Sequence, residues 1–419
     1  MSGGEKMASE QKVKRKKNNS LLNLFVAKGS VDIPFFLLLM TIVTVGLVMV
    51  FSASYTYSYY HRGGSTVIFT KQLIFVAIGL VLMWIVSRIR YEYFRYFAIF
   101  IAGVSLALLV LVLFLPEYRP GFKRWINLGF TTFQPSEIAK LGLIVLLAFL
   151  LEKDSKIITS KIPSDLKLCR RISGITNGKL VIYKSFTTVI FYGIIIMLFA
   201  GLVYLEHHVS GTILILGLGV IMLFLGEVKN KWFYIIAALA LVLIAILIIN
   251  PEILAKYAGE RIVAWLDKDY KPTGVGGRWQ INNSLYAIGS GGLTGTGLGQ
   301  SKQKHLYVAE PQNDFIFSIV CEELGFIGAA AIIILFALFI YRGIKIGLRA
   351  KDKFSSLLVT GISFQIGIQV ALNIAVVSDF MPNTGISLPF FSAGGTSVVI
   401  LLMEMGMILS VSRSITKKE

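Results

Sequence analysis

The stretch "FQPSEIAK" places a carboxylate and an ammonium at the start of a long apolar segment. Pro135 suits the first position of a helix, and Gln134 stands where a helix cap would be. Glu137 then falls in the first turn, where the helix dipole favours an anion, and Lys140 follows on the same face, so the two side chains can pair. Because ions are costly inside a bilayer, this pair predicts either a capping salt bridge or a functional site.

A second carboxylate opens another apolar segment. Asp314 begins "DFIFSIVCEELGFIG", and Glu322 and Glu323 follow two turns or more deeper. A carboxylate at the level of Asp314 can act as a base or as an ion ligand, while Lys140 or Arg124 can meet a phosphate. Together these residues predict a pocket for an anionic lipid headgroup.

Composition indicates which elements must carry these residues. The chain has 419 residues, of which 55% are hydrophobic and 15% are charged. Apolar runs of about 20 residues, each long enough for a helix to cross a bilayer, recur along the chain. The predicted spans are 33–53, 67–87, 96–115, 135–151, 186–205, 209–226, 232–250, 314–341, 356–378 and 388–410. The sequence therefore predicts an all-α polytopic membrane protein with about ten helices, since a β-barrel would show short alternating strands instead.

The charge distribution predicts how these spans are oriented. Lys and Arg crowd the segments that would be cytosolic, whereas the four short external loops carry Arg62, Arg119, Lys123 and Arg124. Cytosolic retention of positive charge is the usual rule for membrane helices. The net charge of +18 therefore reflects topology and contact with anionic lipid rather than nucleic-acid binding.

The domain plan contains one long external loop. We expect a basic cytosolic arm at 1–31, a transmembrane domain at 32–413 and a cytosolic tail at 414–419, with the loop at 251–313 between helices seven and eight. Loops this long are usually functional or disordered, and the aromatic and apolar residues here favour an ordered loop with short helices. Its glycines, Gly277 among them, do not match a phosphate-binding pattern and favour close-packed turns with positive φ.

Helix breakers accompany the last predicted span. The segment "SDFMPNTGISLPFFSAGGTS" contains Pro382, Gly385, Pro389, Gly394 and Gly395. Breakers at membrane depth are tolerated where the freed backbone lines a cavity or is buried in protein. A plain tight turn explains Pro382 and Gly385 equally well, but it explains the glycine pair after "FFSA" less well.

These motifs together resemble the SEDS family (shape, elongation, division and sporulation) over residues 33 to 413. The segments that carry the resemblance, in order, are "FSAS", "KRWINLGFTTFQPSEIAK", "GRWQINNSLYAIGSGGLTGTGLGQS", "PQNDFIFSIVCEELG" and "MPNTGISLPFFSAGG". The resemblance implies a peptidoglycan glycosyltransferase of the bacterial plasma membrane that polymerises lipid II at the outer face and releases undecaprenyl pyrophosphate. It also implies a class B penicillin-binding protein as partner, with other membrane proteins of the division or elongation machinery.

The resemblance also implies roles for individual residues. Asp314 matches the family's essential aspartate, and we expect it to be the catalytic base. The residues expected to bind or support substrate are Glu137, Lys140, Arg124, Lys123, Trp125, Gln134 and Ser392, and those expected to shape the backbone are Pro135, Gly277, Pro382, Gly385, Pro389, Gly394 and Gly395. We expect Lys140 to contact substrate and Glu137 to hold Lys140. No cofactor is certain, and a divalent cation (Mg or Mn) beside Asp314 is left open.

The sequence departs from the family pattern in three places. "EHHVSGT" stands where many relatives carry Pro-Asp-Leu-Gly-Thr, with His208 where an aspartate is expected. "GGTS" replaces Gly-Gly-Ser-Ser after "FFSA", and the cytosolic loop at 152–184, whose role stays open, is longer than expected. "EPQNDFIF" and "EHHVSGT" favour the division and sporulation types over the elongation type.

Two other functions compete with polymerisation. A transporter that flips lipid II would also use many spans and broken helices, but its polar groups should lie near the bilayer midplane rather than at the outer surface. A non-catalytic scaffold for a penicillin-binding protein would tolerate substitution of Asp314. The identity of the partner, and which part of the pocket holds donor or acceptor, are not determined by the sequence.

Overall fold

The computed structural model describes residues 26–27, 29–116, 123–129, 131–159, 184–229, 231–235, 237–238, 265 and 278–415. Within these residues the chain forms helices and one short antiparallel ribbon. The helices are α1 (Ile33–Arg62), α2 (Val67–Arg88), α3 (Tyr91–Tyr96), α4 (Ala98–Phe114), α5 (Pro135–Lys153), α6 (Ser155–Thr159), α7 (Lys184–Leu205), α8 (Val209–Leu225), α9 (Arg278–Ser290), α10 (Ile316–Leu348), α11 (Lys353–Val377) and α12 (Thr396–Ile415). The ribbon pairs β1 (Ile126–Asn127) with β2 (Thr132–Phe133).

Apart from the start of the last span, the predicted spans coincide with helices wherever the structure describes both. By length and composition, α1, α2, α7, α10, α11 and α12 can each cross a membrane, and α4 and α8 are shorter apolar helices. The prediction of an all-helical polytopic membrane protein is thereby confirmed. The predicted span at 232–250 lies largely outside the described residues, as do Gly277 and both chain ends. The cytosolic placement of the termini remains a prediction.

The start of the last span was predicted wrongly. The sequence places it at 388, but α12 begins only at Thr396. The residues before it include Pro389, which has no backbone N–H to donate, and Gly395, whose φ is +50°. These residues form an irregular segment that α12 follows, and residues 386–395 are called the breaker segment below.

The most buried helices surround α5. About 67% of the apolar window of α11 and 72% of that of α12 is buried, against 22% for α2. α5 packs against α4, α8 and α11, and Leu143, Ile144 and Leu147 on it are completely buried. The ion pair predicted at the start of α5 therefore stands on a helix that other helices surround, and both of its side chains are largely buried.

Glycines close the junction between α9 and α10. Positive φ values are found at Gly292, Gly295, Gly297 and Gly299, and Gly325 interrupts α10 with a φ of +66°. A side chain at Gly295 would collide with the backbone of Glu323. The predicted close-packed turns are confirmed for these residues, and α9 supplies a short helix within the predicted long loop.

Candidate functional site

A cavity of about 560 Å³ lies at the end of the bundle where α5 and α10 begin. Its walls come from the β1–β2 ribbon, the first turns of α2 and α5, the turn before α8, the loop before α10 and the breaker segment. The predicted residues that line it are Asp314, Glu137, Lys140, Arg124, Trp125, Gln134, Ser392, Gly385, Gly394 and Gly395. Segments far apart in sequence thus supply one polar cavity.

The other predicted residues lie beside this cavity or outside the described chain. Lys123 precedes β1, and Pro135 is buried at the first position of α5. Pro382 and Pro389 belong to the loop between α11 and α12 but are not among the described residues that line the cavity. The role of Gly277 lies outside the described residues.

The predicted pairing of Glu137 with Lys140 is confirmed. The ammonium Nζ lies 2.9 Å from each carboxylate oxygen. The side chain of Lys140 is 5% exposed and that of Glu137 is 12% exposed. Both residues line the cavity. The pair therefore offers a charged, desolvated surface to a ligand, where electrostatic interactions are stronger than in water.

The backbone of Asp314 is held by a neighbouring helix. The side-chain amide of Asn373 on α11 donates to the carbonyl oxygens of Asp314 and Ile386, at 2.7 Å each. Asn373 thereby ties the loop before α10 to the breaker segment. Asp314 also stands just before α10, whose N-terminal dipole stabilises a nearby anion.

The polar groups of the breaker segment form hydrogen bonds within the segment and with the loop before α10. The hydroxyl of Ser392 donates to the carbonyl of Asn313 at 2.8 Å and accepts from the N–H of Leu388 at 2.8 Å. The N–H of Ala393 donates to the carbonyl of Gln312 at 2.8 Å. These bonds explain why irregular backbone is stable at this depth. They also make Ser392 a support for the residues next to Asp314.

Several cavity residues were missed by the sequence reasoning. They are Tyr57, Arg62, Lys71, Gln72, Asn127, Glu310, Gln312, Asn313 and Gln369. Lys71 carried the signal that marked Lys140, since both are ions in the first turns of an apolar span. The neutral residues carried no comparable signal, because buried amides are common in helical bundles.

His208 joins the same cavity, although it departs from the family pattern. Its Nδ1 lies 3.3 Å from the amide nitrogen of Gln134 and 3.4 Å from the hydroxyl of Ser136. The turn before α8 is thus attached to the start of α5. An aspartate is therefore not required to connect these two elements.

Glu206 is a buried carboxyl group close to this turn. It has no solvent exposure, and neither of its oxygens has a hydrogen-bond partner within the described part of the chain. Burial raises the pKa of Glu206 to about 9, against the opposing effect of the positive charge of Arg124. At neutral pH Glu206 is therefore protonated, and it does not cancel the charge that Arg124 presents to the cavity.

A second buried ionic cluster lies away from the cavity. It comprises Ser52, Ser301, Lys304, Glu322 and Glu323, and is called the loop clamp below. Lys304 Nζ lies 2.9 Å from Glu323, which also accepts from the hydroxyl of Ser52 at 2.7 Å. Glu322 accepts from the hydroxyl of Ser301, and from the N–H of Lys302 at 2.9 Å. The clamp fastens the loop before α10 to α1 and α10.

The described residues form no group of three or more His, Cys, Asp and Glu side chains that could hold a metal ion. The acidic cavity residues Asp314, Glu137 and Glu310 are thus not arranged as a ready-made metal centre in this part of the chain. We assign no chemical step to a metal.

Fold and site together define a polytopic helical membrane protein with a polar, cation-rich cavity at one end of the bundle. The family model of the FtsW, RodA and SpoVE cell cycle proteins matches residues 33–417. The chain therefore belongs to this family, as the sequence resemblance predicted.

Individual relatives agree with this membership. The chain is 37% identical over 388 residues to the stage V sporulation protein E of Bacillus subtilis, covering 92% of this chain and 98% of that protein. It is 33% identical over 383 residues to a probable peptidoglycan glycosyltransferase FtsW of Trichlorobacter lovleyi, covering 91% and 93%. The predicted similarity to division and sporulation types is thus confirmed.

Two solved structures share the fold. A chain of a peptidoglycan synthase complex that coordinates polymerization and crosslinking matches with a TM-score of 0.69 at 23% identity, covering 93% of this chain and 99% of that one. The rod shape determining protein RodA of Thermus thermophilus matches with a TM-score of 0.62 at 24% identity, covering 93% and 98%. At these identities the likeness concerns the fold alone.

Proposed function

We propose that this chain is a peptidoglycan glycosyltransferase that polymerises lipid II at the outer face of the plasma membrane. The observation that carries the proposal is the shared cavity, whose lining contains Asp314 together with Arg124, Lys71 and Lys140. A base beside several cations suits transfer of a sugar from a pyrophosphate leaving group. The activity named for the FtsW relative supports this reading.

Asp314 acts as the general base. A sugar hydroxyl becomes an effective nucleophile only when its proton is withdrawn in the transition state. Asp314 accepts the proton of the 4-hydroxyl of the acceptor GlcNAc, and that oxygen attacks C1 of the donor MurNAc. The bond from C1 to the pyrophosphate oxygen breaks, and undecaprenyl pyrophosphate leaves with the bonding electrons. The fixed backbone of Asp314 keeps the base in place through successive transfers.

The cavity cations stabilise the departing pyrophosphate. Charge develops on the leaving oxygen as the bond to C1 breaks, and preorganised cations lower the energy of that transition state. Lys140 and Arg124 are the groups predicted for this role, and Lys71 adds a third cation to the lining. The leaving group is already stable as an anion. The mechanism therefore needs no second carboxylic acid of the kind that glycoside hydrolases use.

The cellular setting follows from the same proposal. The cavity opens to the outer face, where lipid II is available, and the basic arm at 1–31 lies in the cytosol. The chain works with a class B penicillin-binding protein that crosslinks the glycan strands, within the division or sporulation machinery. The match to a chain of a peptidoglycan synthase complex supports such an assembly.

The test is polymerisation of lipid II by the purified full chain in detergent, with the penicillin-binding partner present. The parent should form glycan strands and release undecaprenyl pyrophosphate. Asp314→Asn keeps the shape of the side chain and removes the base, so strand formation should fall by at least about 100-fold. Glu227→Gln is the matched control, because its side chain is 73% exposed and pairs with Lys353.

The competing functions give different results in this assay. Parent-level polymerisation by Asp314→Asn would refute the assigned base. Absence of polymerisation by the parent, together with movement of lipid II across vesicle membranes, would favour a transporter. An inactive parent that still binds the penicillin-binding protein would instead favour a scaffold.

A further inference from the structure

A buried carboxyl group on α12 lies close to the Glu137–Lys140 pair. Glu404 has no solvent exposure, and it stands about two turns into the helix, about 12 Å from its start. Both of its oxygens accept from the side-chain amide nitrogen of Gln365 on α11, at 3.2 and 3.0 Å. Glu404 also interacts electrostatically with Lys140, favourably, and with Glu137, unfavourably. An ionisable residue at this depth indicates a functional role by default.

The charges of this group of three do not balance. Glu137 and Glu404 are two carboxyl groups, and among the described residues Lys140 is the ammonium that pairs with Glu137 and acts on Glu404. An unpaired charge is expensive in a buried site, and such a site loses it most simply by taking up a proton.

The neighbouring elements do not supply the missing positive charge next to Glu404. α11 presents the neutral amides Gln365 and Gln369, whose Oε1 atoms have no hydrogen-bond partner among the described residues. The other charged or titratable groups toward the pair, among the described residues, line the cavity. They are Tyr57 and Arg62 from α1, Lys71 from α2, Arg124 before β1, His208 before α8, and Glu310 and Asp314 before α10. Glu404 is thus the fully buried member of the three, whereas Lys140 on α5 and Gln369 on α11 both line the cavity.

We propose that Glu404 is a positioning residue for Lys140 that couples binding of a pyrophosphate group to uptake of one proton. The inference rests on the proposed function, because it takes Lys140 as a pyrophosphate ligand. With Glu404 ionised, the three groups carry a net negative charge that repels the ligand. With a solvent proton on a Glu404 oxygen, they are neutral, and Lys140 can turn toward the phosphate.

The sign of the coupling follows from linkage. Since the bound anion favours the protonated form of Glu404, affinity for the pyrophosphate is highest at low pH and falls as the pH rises. A pyrophosphate diester keeps its charge over this range, so the lipid itself does not produce the trend. Glu404→Gln is neutral at every pH, and it should therefore retain the low-pH affinity under alkaline conditions.

The experiment measures binding of lipid II to the full chain carrying Asp314→Asn, so that no turnover occurs. Between about pH 6 and about pH 9, the range in which buried Glu groups titrate, affinity should fall about tenfold in this background. Adding Glu404→Gln should reduce the change to less than about twofold, with tighter binding at the higher pH. A short-chain dialkyl pyrophosphate, a diester that keeps its charge over this range, should compete with the same pH dependence if the anion is the group recognised.

Controls separate this role from a structural one. Glu152→Gln removes a carboxylate at the other end of α5, where Glu152 pairs with Arg95 at 3.5 Å, and it should keep the full pH dependence. Gln365→Leu deletes the amide donor of ionised Glu404, so it should also flatten the trend by favouring the protonated form. This second variant preserves the test if Glu404→Gln does not fold.

Two results would overturn the inference. One is a tenfold pH dependence that persists in Glu404→Gln, and the other is weaker binding by that variant at both pH values, as a packing defect would give. Neither bears on the proposed function, which fails only if the chain with Asp314 intact does not polymerise lipid II. The two hypotheses can therefore fail separately.

Discussion

The cavity and the loop clamp both contain carboxylates and lysines, but the two regions differ in how many protein groups bond these ions. In the clamp, Glu322 and Glu323 are each 1% exposed and accept from protein donors on several sides. In the cavity, Glu137 and Lys140 bond each other and also face open space. Buried ions that the protein has fully paired are structural, whereas ions that line a cavity are available to a ligand.

This difference shows why an acidic residue near a membrane surface is ambiguous in sequence. Asp314 and Glu322 belong to one segment and are separated by about two turns. One lines the cavity, and the other binds the backbone of the loop that precedes it. The path of the loop before α10 brings its backbone N–H groups to Glu322. This path therefore determines which carboxylate accepts hydrogen bonds from the protein. Substitutions at matched positions in the two regions should therefore affect different properties.

Breaking the clamp should give the largest loss of stability. Lys304→Met leaves Glu323 buried without its cation, and removing one partner of a buried pair costs about 3–5 kcal/mol. Thermal unfolding of the detergent-solubilised chain measures this loss. Lys353→Met, which breaks the exposed pair with Glu227, is the control and should cost less than about 1 kcal/mol. Equal losses of stability in Lys304→Met and Lys353→Met would show that the loop clamp does not stabilise the fold more than an exposed ion pair does.

The matched substitution in the cavity should mainly affect activity. Lys140→Met removes a cation assigned to the pyrophosphate, so kcat/KM for lipid II should fall about 100-fold, or about 2.7 kcal/mol. Its unfolding midpoint should move less than that of Lys304→Met, because Glu137 can be solvated from the cavity. A variant that unfolds as readily as Lys304→Met, with unchanged kcat/KM, would reverse the assignment of the two regions.

The smallest effect is expected at Glu206. It is buried like the clamp carboxylates, but within the described part of the chain no group donates a hydrogen bond to it. Its raised pKa means that the folded chain holds a proton which the unfolded chain releases above about pH 4.5, so stability is lost as the pH rises toward about 9. Between about pH 7 and about pH 8.5 this loss amounts to about 2 kcal/mol, and Glu206→Gln should remove it. Unfolding midpoints at these two pH values measure it. Glu227→Gln, at an exposed carboxylate, should leave the alkaline slope unchanged.

Much of the cavity could be predicted because its key residues break local rules. Glu137, Lys140 and Asp314 are ions at the ends of apolar spans, and Gly394 and Gly395 are helix breakers within a predicted span. Lys71 broke the same rule and was overlooked. Gln369 and Asn373 could not be found in this way, because an amide on a polytopic helix carries no signal until its neighbours are known.

The sequence by itself determined the helical membrane class, most span positions, the family and the identity of the candidate base, because hydrophobic run length and local motifs depend on neighbouring residues. Only the tertiary structure decided which ions share a cavity and which are paired by protein. It brought Glu404 to Lys140 across α12 and α5, and it showed that α12 starts at Thr396. These outcomes depend on long-range packing, which sets the donors and charges around each buried group.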